Sequence, residues 1–164
     1  MNEHTAPAFE AKIRVELDRL GDYIGQLPRP VVFTNGVFDI LHRGHVTYLA
    51  QARALGASLV IAVNDDASVR RLAKGLDRPI NAIGDRMAVL AALEAVSLVT
   101  SFGDDTPLRM ILAVRPDILV KGGDWRLEDI VGATEVRGWG GHVHSIAFDH
   151  ERSTTATLAR IRSS

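Results

Sequence analysis

The sequence predicts an α/β domain built on a doubly wound sheet of about five parallel strands. Three observations carry this. Short, β-branched apolar runs recur along the chain, and amphipathic segments of helix length separate them. The polar residues that interrupt the pattern gather just after the strand-like runs. Parallel strands need helix-length crossovers, and strands covered on both faces read as continuous apolar runs. A chain of 164 residues, 46% of them apolar, can bury such a core as a single domain.

Each element follows from its local pattern. Residues 8–20 place Phe9, Ile13, Leu17 and Leu20 at helical spacing, and Gly21, Gly25, Pro28 and Pro30 then punctuate the chain. Residues 1–30 are therefore expected to form an N-terminal helical extension, with the main domain over 31–164. Val31-Val32-Phe33-Thr34 reads as the first buried strand, ending in Asn35-Gly36, and a helix follows over 44–55. The run 59–63 is a second strand, closed by Asn64-Asp65-Asp66. A helix over 85–94, a strand over 97–102, a helix over 107–114 and a strand over 118–121 continue the alternation. A helical stretch near 130–138, a strand over 142–147 and a helix from Thr154 complete it. Sheets of this kind bind ligands beyond the carboxyl ends of their strands. The polar clusters 34–45, 64–66, 121–125 and 149–155 all fall there.

Composition narrows the function. Nineteen basic against twenty acidic residues leave a net charge of -1, which excludes the broad basic footprint of a nucleic-acid binder. The chain has no cysteine, so disulfides, thiolate metal sites and cysteine nucleophiles are excluded. No apolar run approaches the roughly 18 residues of a spanning helix, and the N-terminus lacks the apolar core of a secretory signal. The expectation is a cytoplasmic protein with neither membrane nor nucleic-acid partners.

The stretch after the first strand is the most informative. Gly36 and Gly44 let backbone approach a bound group, and free amides at a helix start favour an anion. His42 and His45, three apart, present their imidazoles to one side of that helix entrance. Two donors aimed at one point suit a phosphate whose charge rises during reaction. Histidines at this spacing also chelate zinc, with Asp39 as a further ligand, and both readings stand at this level.

His42-Arg43-Gly44-His45 resembles the HxGH signature of the cytidylyltransferase-like nucleotidyltransferases. Lys74-Gly75, Arg78-Pro79-Ile80-Asn81 and Asp85-Arg86 look like the acceptor-side loop of the sugar-phosphate branch. Val120-Lys121-Gly122-Gly123-Asp124-Trp125 and Ser153-Thr154-Thr155 match that branch in order and spacing. Residues 30 to 162 are similar to the heptose 1-phosphate adenylyltransferases. In many bacteria that activity is the C-terminal half of a bifunctional protein behind a sugar kinase, and this chain looks like the stand-alone form.

The resemblance implies a Rossmann-like fold of the HxGH type and transfer of AMP from ATP to a sugar 1-phosphate. It implies magnesium with ATP, no metal assigned to protein ligands, and a homodimer. His42, His45 and Lys121 are the expected catalytic residues. Thr34, Asn35, Gly36, Val37, Phe38, Asp39, Gly44, Ser153, Thr154 and Thr155 are expected to bind nucleotide. Asn64, Asp65, Lys74, Arg78, Asn81, Arg86, Gly123, Asp124 and Trp125 are expected to bind the acceptor. Plainer readings accompany some of these: Asp65 as a helix cap, Arg86 as a surface charge or partner of Asp85, and Trp125 as a core cover. The alternatives for the whole chain are a cytidylyltransferase acting on glycerol 3-phosphate and an ATP-binding module without turnover.

Overall fold

The computed structural model describes residues 7–72, 78–148 and 159–161. Its strands are β1 (Val31–Gly36), β2 (Ser58–Asn64), β3 (Leu98–Phe102), β4 (Ile118–Gly122) and β5 (His142–Ile146). They pair in the order β3-β2-β1-β4-β5, and every pairing is parallel. Between them run α2 (Arg43–Ala54), α3 (Asp66–Arg71), α4 (Ile83–Ala91), α5 (Leu108–Val114) and α6 (Ala133–Gly138), with α1 (Leu17–Gly25) before the sheet.

Alternation along the strands sorts side chains into two layers. Val31, Phe33, Val60 and Ala62 pack with Leu20 and Ile24 of α1 and Met110 and Ile111 of α5. Val32, Leu59 and Ile61 pack with Leu49 and Ala52 of α2 and Leu90 of α4. Register keeps the two sets apart, because Val32 pairs with Leu59 and Phe33 with Val60. A one-residue slip would exchange the layers, so this pairing is strongly specified. The chain leaves β1 toward β2 and β3 on one side, then crosses back to β4 and β5 on the other. That reversal opens a crevice between the carboxyl ends of β1 and β4.

The N-terminal segment differs from the expected single helix over 8–20. A short 3-10 turn at Ala8–Lys12 is followed by extended chain, and α1 begins only at Leu17. Ile13 bridges in parallel to Val99, and the Arg14 amide donates to the Val99 carbonyl at 2.9 Å. Hydrogen bonding along the open edge of β3 thus outcompetes local helical propensity, and it also covers that edge. Gly21 and Gly25 lie inside α1 with open space where a Cβ would sit, so they cost entropy without breaking the helix. Leu20 and Ile24 anchor α1 to the sheet, which makes the segment part of the same packed body.

Candidate active site

The loop after β1 is shaped by two rings. Phe38 adopts a left-handed backbone (φ 49) that returns its ring over the strand end. A Cβ on Gly36 would lie 3.0 Å from that ring, so glycine is what seats it. The helix α2 then begins at Arg43, with His42 in the extended cap position. Its first intrahelical bond runs from the Val46 amide to the His42 carbonyl at 3.2 Å. The amides of Arg43, Gly44 and His45 precede that bond and have no acceptor within the helix. They concentrate the positive end of the helix dipole at the carboxyl edge of the sheet.

His42 and His45 stack there, with ring centroids 3.9 Å apart and planes 22° apart. The Phe38 ring meets His45 edge-on at 5.3 Å. Burial pushes the His45 imidazole down to about 4, the neighbouring His42 adds to the fall, and a backbone interaction with Ile40 opposes it. His45 is therefore neutral at physiological pH, and a neutral imidazole offers one N–H donor to an oxygen.

Across the crevice, β4 delivers Lys121 and the glycines that follow it. Lys121 Nζ lies 5.9 Å over the Trp125 ring. Asn35, Lys121, Trp125 and Asp129 line a pocket of about 100 Å3 with Pro107, Ile130 and Val131. The Trp125 indole donates to the Gly122 carbonyl at 3.1 Å, and its backbone amide donates to Ser145 Oγ at 3.0 Å. Gly123 turns the chain at φ 117, a conformation that favours glycine. Asp124 is exposed on the same loop.

A second cluster ties three loops together. The Asp39 carboxylate accepts from the Ile80 and Asn81 amides at 2.9 Å and from Arg78 Nε at 2.5 Å. Asn81 Nδ2 donates back to the Asp39 carbonyl at 2.6 Å. Burial alone would raise the Asp39 carboxyl, but the Asn81 and Ile80 amides and the Arg78 guanidinium outweigh it and hold it below the usual range. The Arg86 side chain is 0% exposed. It donates to the carbonyls of Asn81 (3.0 Å), Val37 (2.7 Å) and Asn64 (2.8 Å) and to Asp66 Oδ1 (2.7 Å).

Comparison with known proteins places this arrangement. Residues 33–164 match the model of the cytidylyltransferase-like proteins. The chain belongs to the cytidylyltransferase-like family. It is 57% identical, over 94% of its length and 96% of the relative's, to D-beta-D-heptose 1-phosphate adenylyltransferase of Bordetella bronchiseptica. It is 58% identical over 80% of its length to bifunctional protein HldE of Pseudomonas aeruginosa, of which it spans 28%. Among solved structures it resembles the lipopolysaccharide core biosynthesis protein of Thermoplasma volcanium, with TM-score 0.60 and 28% identity over 74% of this chain and 98% of that one.

Within this cytidylyltransferase-like fold some of the residues singled out from sequence gather at two places. His42, His45, Gly44 and the 36–38 loop converge at the start of α2. Asn35, Lys121, Gly123 and Trp125 converge at the end of β4. Other residues turn inward. Thr34 is fully buried and its hydroxyl meets Tyr48 Oη at 2.6 Å, so its side chain faces the core. Asp39, Arg78 and Asn81 satisfy one another, because a carboxylate this buried needs donors on every side. Arg86 is neither the surface charge nor the partner of Asp85 considered above, for its donors go to strand-end carbonyls and Asp66. Asn64 donates to Ser68 Oγ at 3.0 Å, and Asp65 caps α3 by accepting the Ser68 amide at 2.7 Å. Lys74, Ser153, Thr154 and Thr155 lie outside the described residues.

Two aromatic residues at the site escape the sequence reading. Tyr48, one turn beyond His45 on α2, is buried, and burial pushes its phenol up to about 12 despite the Thr34 hydrogen bond. Its i, i+3 spacing from His45 was the available signal. Phe148 lies beyond β5 and packs on both His45 and Tyr48. No local pattern marks it.

Proposed function

We propose that the protein transfers the adenylyl group of ATP to heptose 1-phosphate, releasing pyrophosphate and forming ADP-heptose for lipopolysaccharide core assembly. The observation that carries this is near-full-length similarity to a heptose 1-phosphate adenylyltransferase at 57% identity. The HxGH geometry supplies the chemistry it needs.

A phosphate oxygen of the sugar attacks the α-phosphorus of ATP in line, and the bond to the β-phosphate bridging oxygen breaks. The attacking oxygen is already anionic at neutral pH, so the protein needs no general base. Its work is to position two anions and stabilise the charge that builds between them. In this reading His42, His45 and the first-turn amides of α2 face the α-phosphate and the departing pyrophosphate. Lys121 draws in the acceptor phosphate, and Trp125 with Gly123 and Asp124 receives the sugar. Arg78, Asn81 and Arg86 hold the loops that carry these groups.

Magnesium carried by ATP would supply neutralisation of phosphate charge. Among the described residues no three His, Asp or Glu side chains converge on a metal site. No described helix is long and apolar enough to cross a membrane. The reading carries with it a cytoplasmic location and a homodimer.

The test is pyrophosphate release with magnesium, crossing ATP, CTP and GTP against heptose 1-phosphate and glycerol 3-phosphate. Release from ATP with heptose 1-phosphate alone is expected. Release from CTP with glycerol 3-phosphate would replace this substrate pair, and silence from folded protein that binds ATP would leave a binding module.

A further inference from the structure

Two phenylalanine rings meet the His45 ring edge-on, and each is seated on a glycine at a strand end. On the β1 side the pair is Gly36 and Phe38, described above. On the β4 side it is Gly122 and Phe148. A Cβ on Gly122 would fall 2.6 Å from Phe148 Cζ and 3.2 Å from Tyr48 Cε2, so only a bare Cα leaves room for the ring. Phe148 meets His45 edge-on, with centroids 6.5 Å apart and planes at 85°, and meets Tyr48 at 5.5 Å. The backbone brings it there because β5 runs parallel to β4, with Ile146 opposite Gly122 and its carbonyl accepting the Gly123 amide at 2.8 Å.

Phe148 leaves 45% of its surface exposed, an expensive placement for a large apolar ring. A core role does not explain it. Tyr48, the neighbour that would anchor such a role, is already fixed by Thr34 Oγ1 and by the Val120 carbonyl at 3.4 Å. What Phe148 adds is a second edge-on ring beside the imidazole, besides that of Phe38. In the sequence Gly36 reads as room for a ligand to approach. At Gly36 and Gly122 the structure fills that room with rings.

We infer that Phe148, seated on Gly122, is a positioning residue that fixes the His45 imidazole for the transfer step. The inference rests on the adenylyl-transfer reading for its kinetic consequence, but its structural consequence is independent of any reaction. A displaced Phe148 ring lets the imidazole rotate away from the stacked geometry, which lowers turnover while leaving most ATP contacts intact.

The experiment compares wild type with Phe148→Leu, Gly122→Ala, the double variant and Phe148→Tyr, all as the full chain. Proton–carbon spectra of histidine-labelled, ligand-free protein report the His45 ring, assigned with His45→Gln, and urea unfolding checks that each variant is folded. Both single variants should move the His45 resonance by removing the ring current of Phe148. Each should lower kcat by about ten- to a hundredfold with KM for ATP within about twofold. The double variant should be no worse than Phe148→Leu, because Gly122→Ala acts by evicting the same ring. Phe148→Tyr should recover most of the lost turnover. An unmoved His45 resonance in Phe148→Leu would overturn the inference, as would additive losses or a rise in KM for ATP with kcat intact. A wild type that fails to release pyrophosphate from ATP and heptose 1-phosphate would reject the proposed function, whereas the spectra judge the positioning by Phe148 by itself.

Discussion

Replacing Arg86 by methionine separates a residue that shapes the site from one that touches the substrate. Methionine keeps much of the volume and removes every donor. The carbonyls of Val37, Asn64 and Asn81 then lose their guanidinium partner inside the protein, and Asp66 loses its cation. A buried acceptor left without a donor costs about 1–3 kcal/mol, so three of them span about 3–9 kcal/mol. Water entering the loosened loops relieves part of this, because Asp66 is 27% exposed and opens a path. The expected loss is therefore about 3–5 kcal/mol, in line with removing one partner of a buried ion pair. Against a domain stability of about 5–15 kcal/mol that is a large fraction. Arg86→Lys keeps the charge but not the planar fork, so it should lose roughly half as much. Urea unfolding followed by fluorescence of Trp125 and Trp139 measures both. In activity assays well below the unfolding midpoint, kcat should fall while KM for the sugar phosphate changes little. An Arg86→Met protein within about 1 kcal/mol of wild type, with KM for the acceptor raised tenfold or more, would make Arg86 a ligand and refute the reasoning.

Three further outcomes follow from the same geometry. His42→Ala and His45→Ala should each lower kcat by about 10²–10³, with only a small change in ATP binding measured by calorimetry, since the charge they meet grows in the transition state; a loss confined to binding would count against them. Below the ordinary imidazole value of 6.5 the unfolded chain binds a proton at His45 that the native protein refuses until about pH 4. Stability from this group is thus whole above pH 6.5 and drains as pH falls to about 4, by at most about 3 kcal/mol and less where solvent reaches the ring. Urea midpoints of wild type and His45→Gln should converge across that window, and parallel curves would remove the effect. Asp39→Asn leaves the Arg78 guanidinium, 7% exposed, without its counter-charge. A loss of about 3–5 kcal/mol is expected, or roughly 10 °C in melting temperature, and a shift under about 3 °C would place Arg78 outside the pair.

Much of the sheet was legible because its strands are buried on both faces, which writes them as unbroken runs such as Val31-Val32-Phe33 and 59–63. Helix α3 was not, since Asp66–Arg71 is too short to display a period and is held by the Asp65 cap and neighbouring loops. The histidine pair at the start of α2 was legible for a local reason. His42 and His45 are three residues apart, and a helix entrance converts that spacing into two stacked rings. Asp39 defeats any local reading, because its partners Arg78, Ile80 and Asn81 lie 39 to 42 residues away. Phe148 meets Gly122 and His45 only through the pairing of β5 with β4.

Arg86 shows a more general ambiguity. Arginines near the loops that end parallel strands read as anion ligands, and Arg78 and Arg86 lie near such loops. Yet the carboxyl edge of a parallel sheet has a demand of its own. Strands that end at a crevice leave carbonyls that the sheet no longer pairs, and those carbonyls need donors as surely as a phosphate does. Val37 and Asn64 carry two of them, at the ends of β1 and β2, and a single guanidinium satisfies both while reaching Asn81 and Asp66. The fork geometry that suits a phosphate also suits this convergence of carbonyl oxygens. A cation at a strand end is therefore ambiguous until its acceptors are known, and for Arg86 they are three backbone carbonyls and the Asp66 carboxylate. Under the proposed function the charge that meets the substrates comes from the α2 amides, the paired imidazoles and Lys121. The buried arginines act one step away, by keeping the β1, β2 and 78–81 loops in register with that helix.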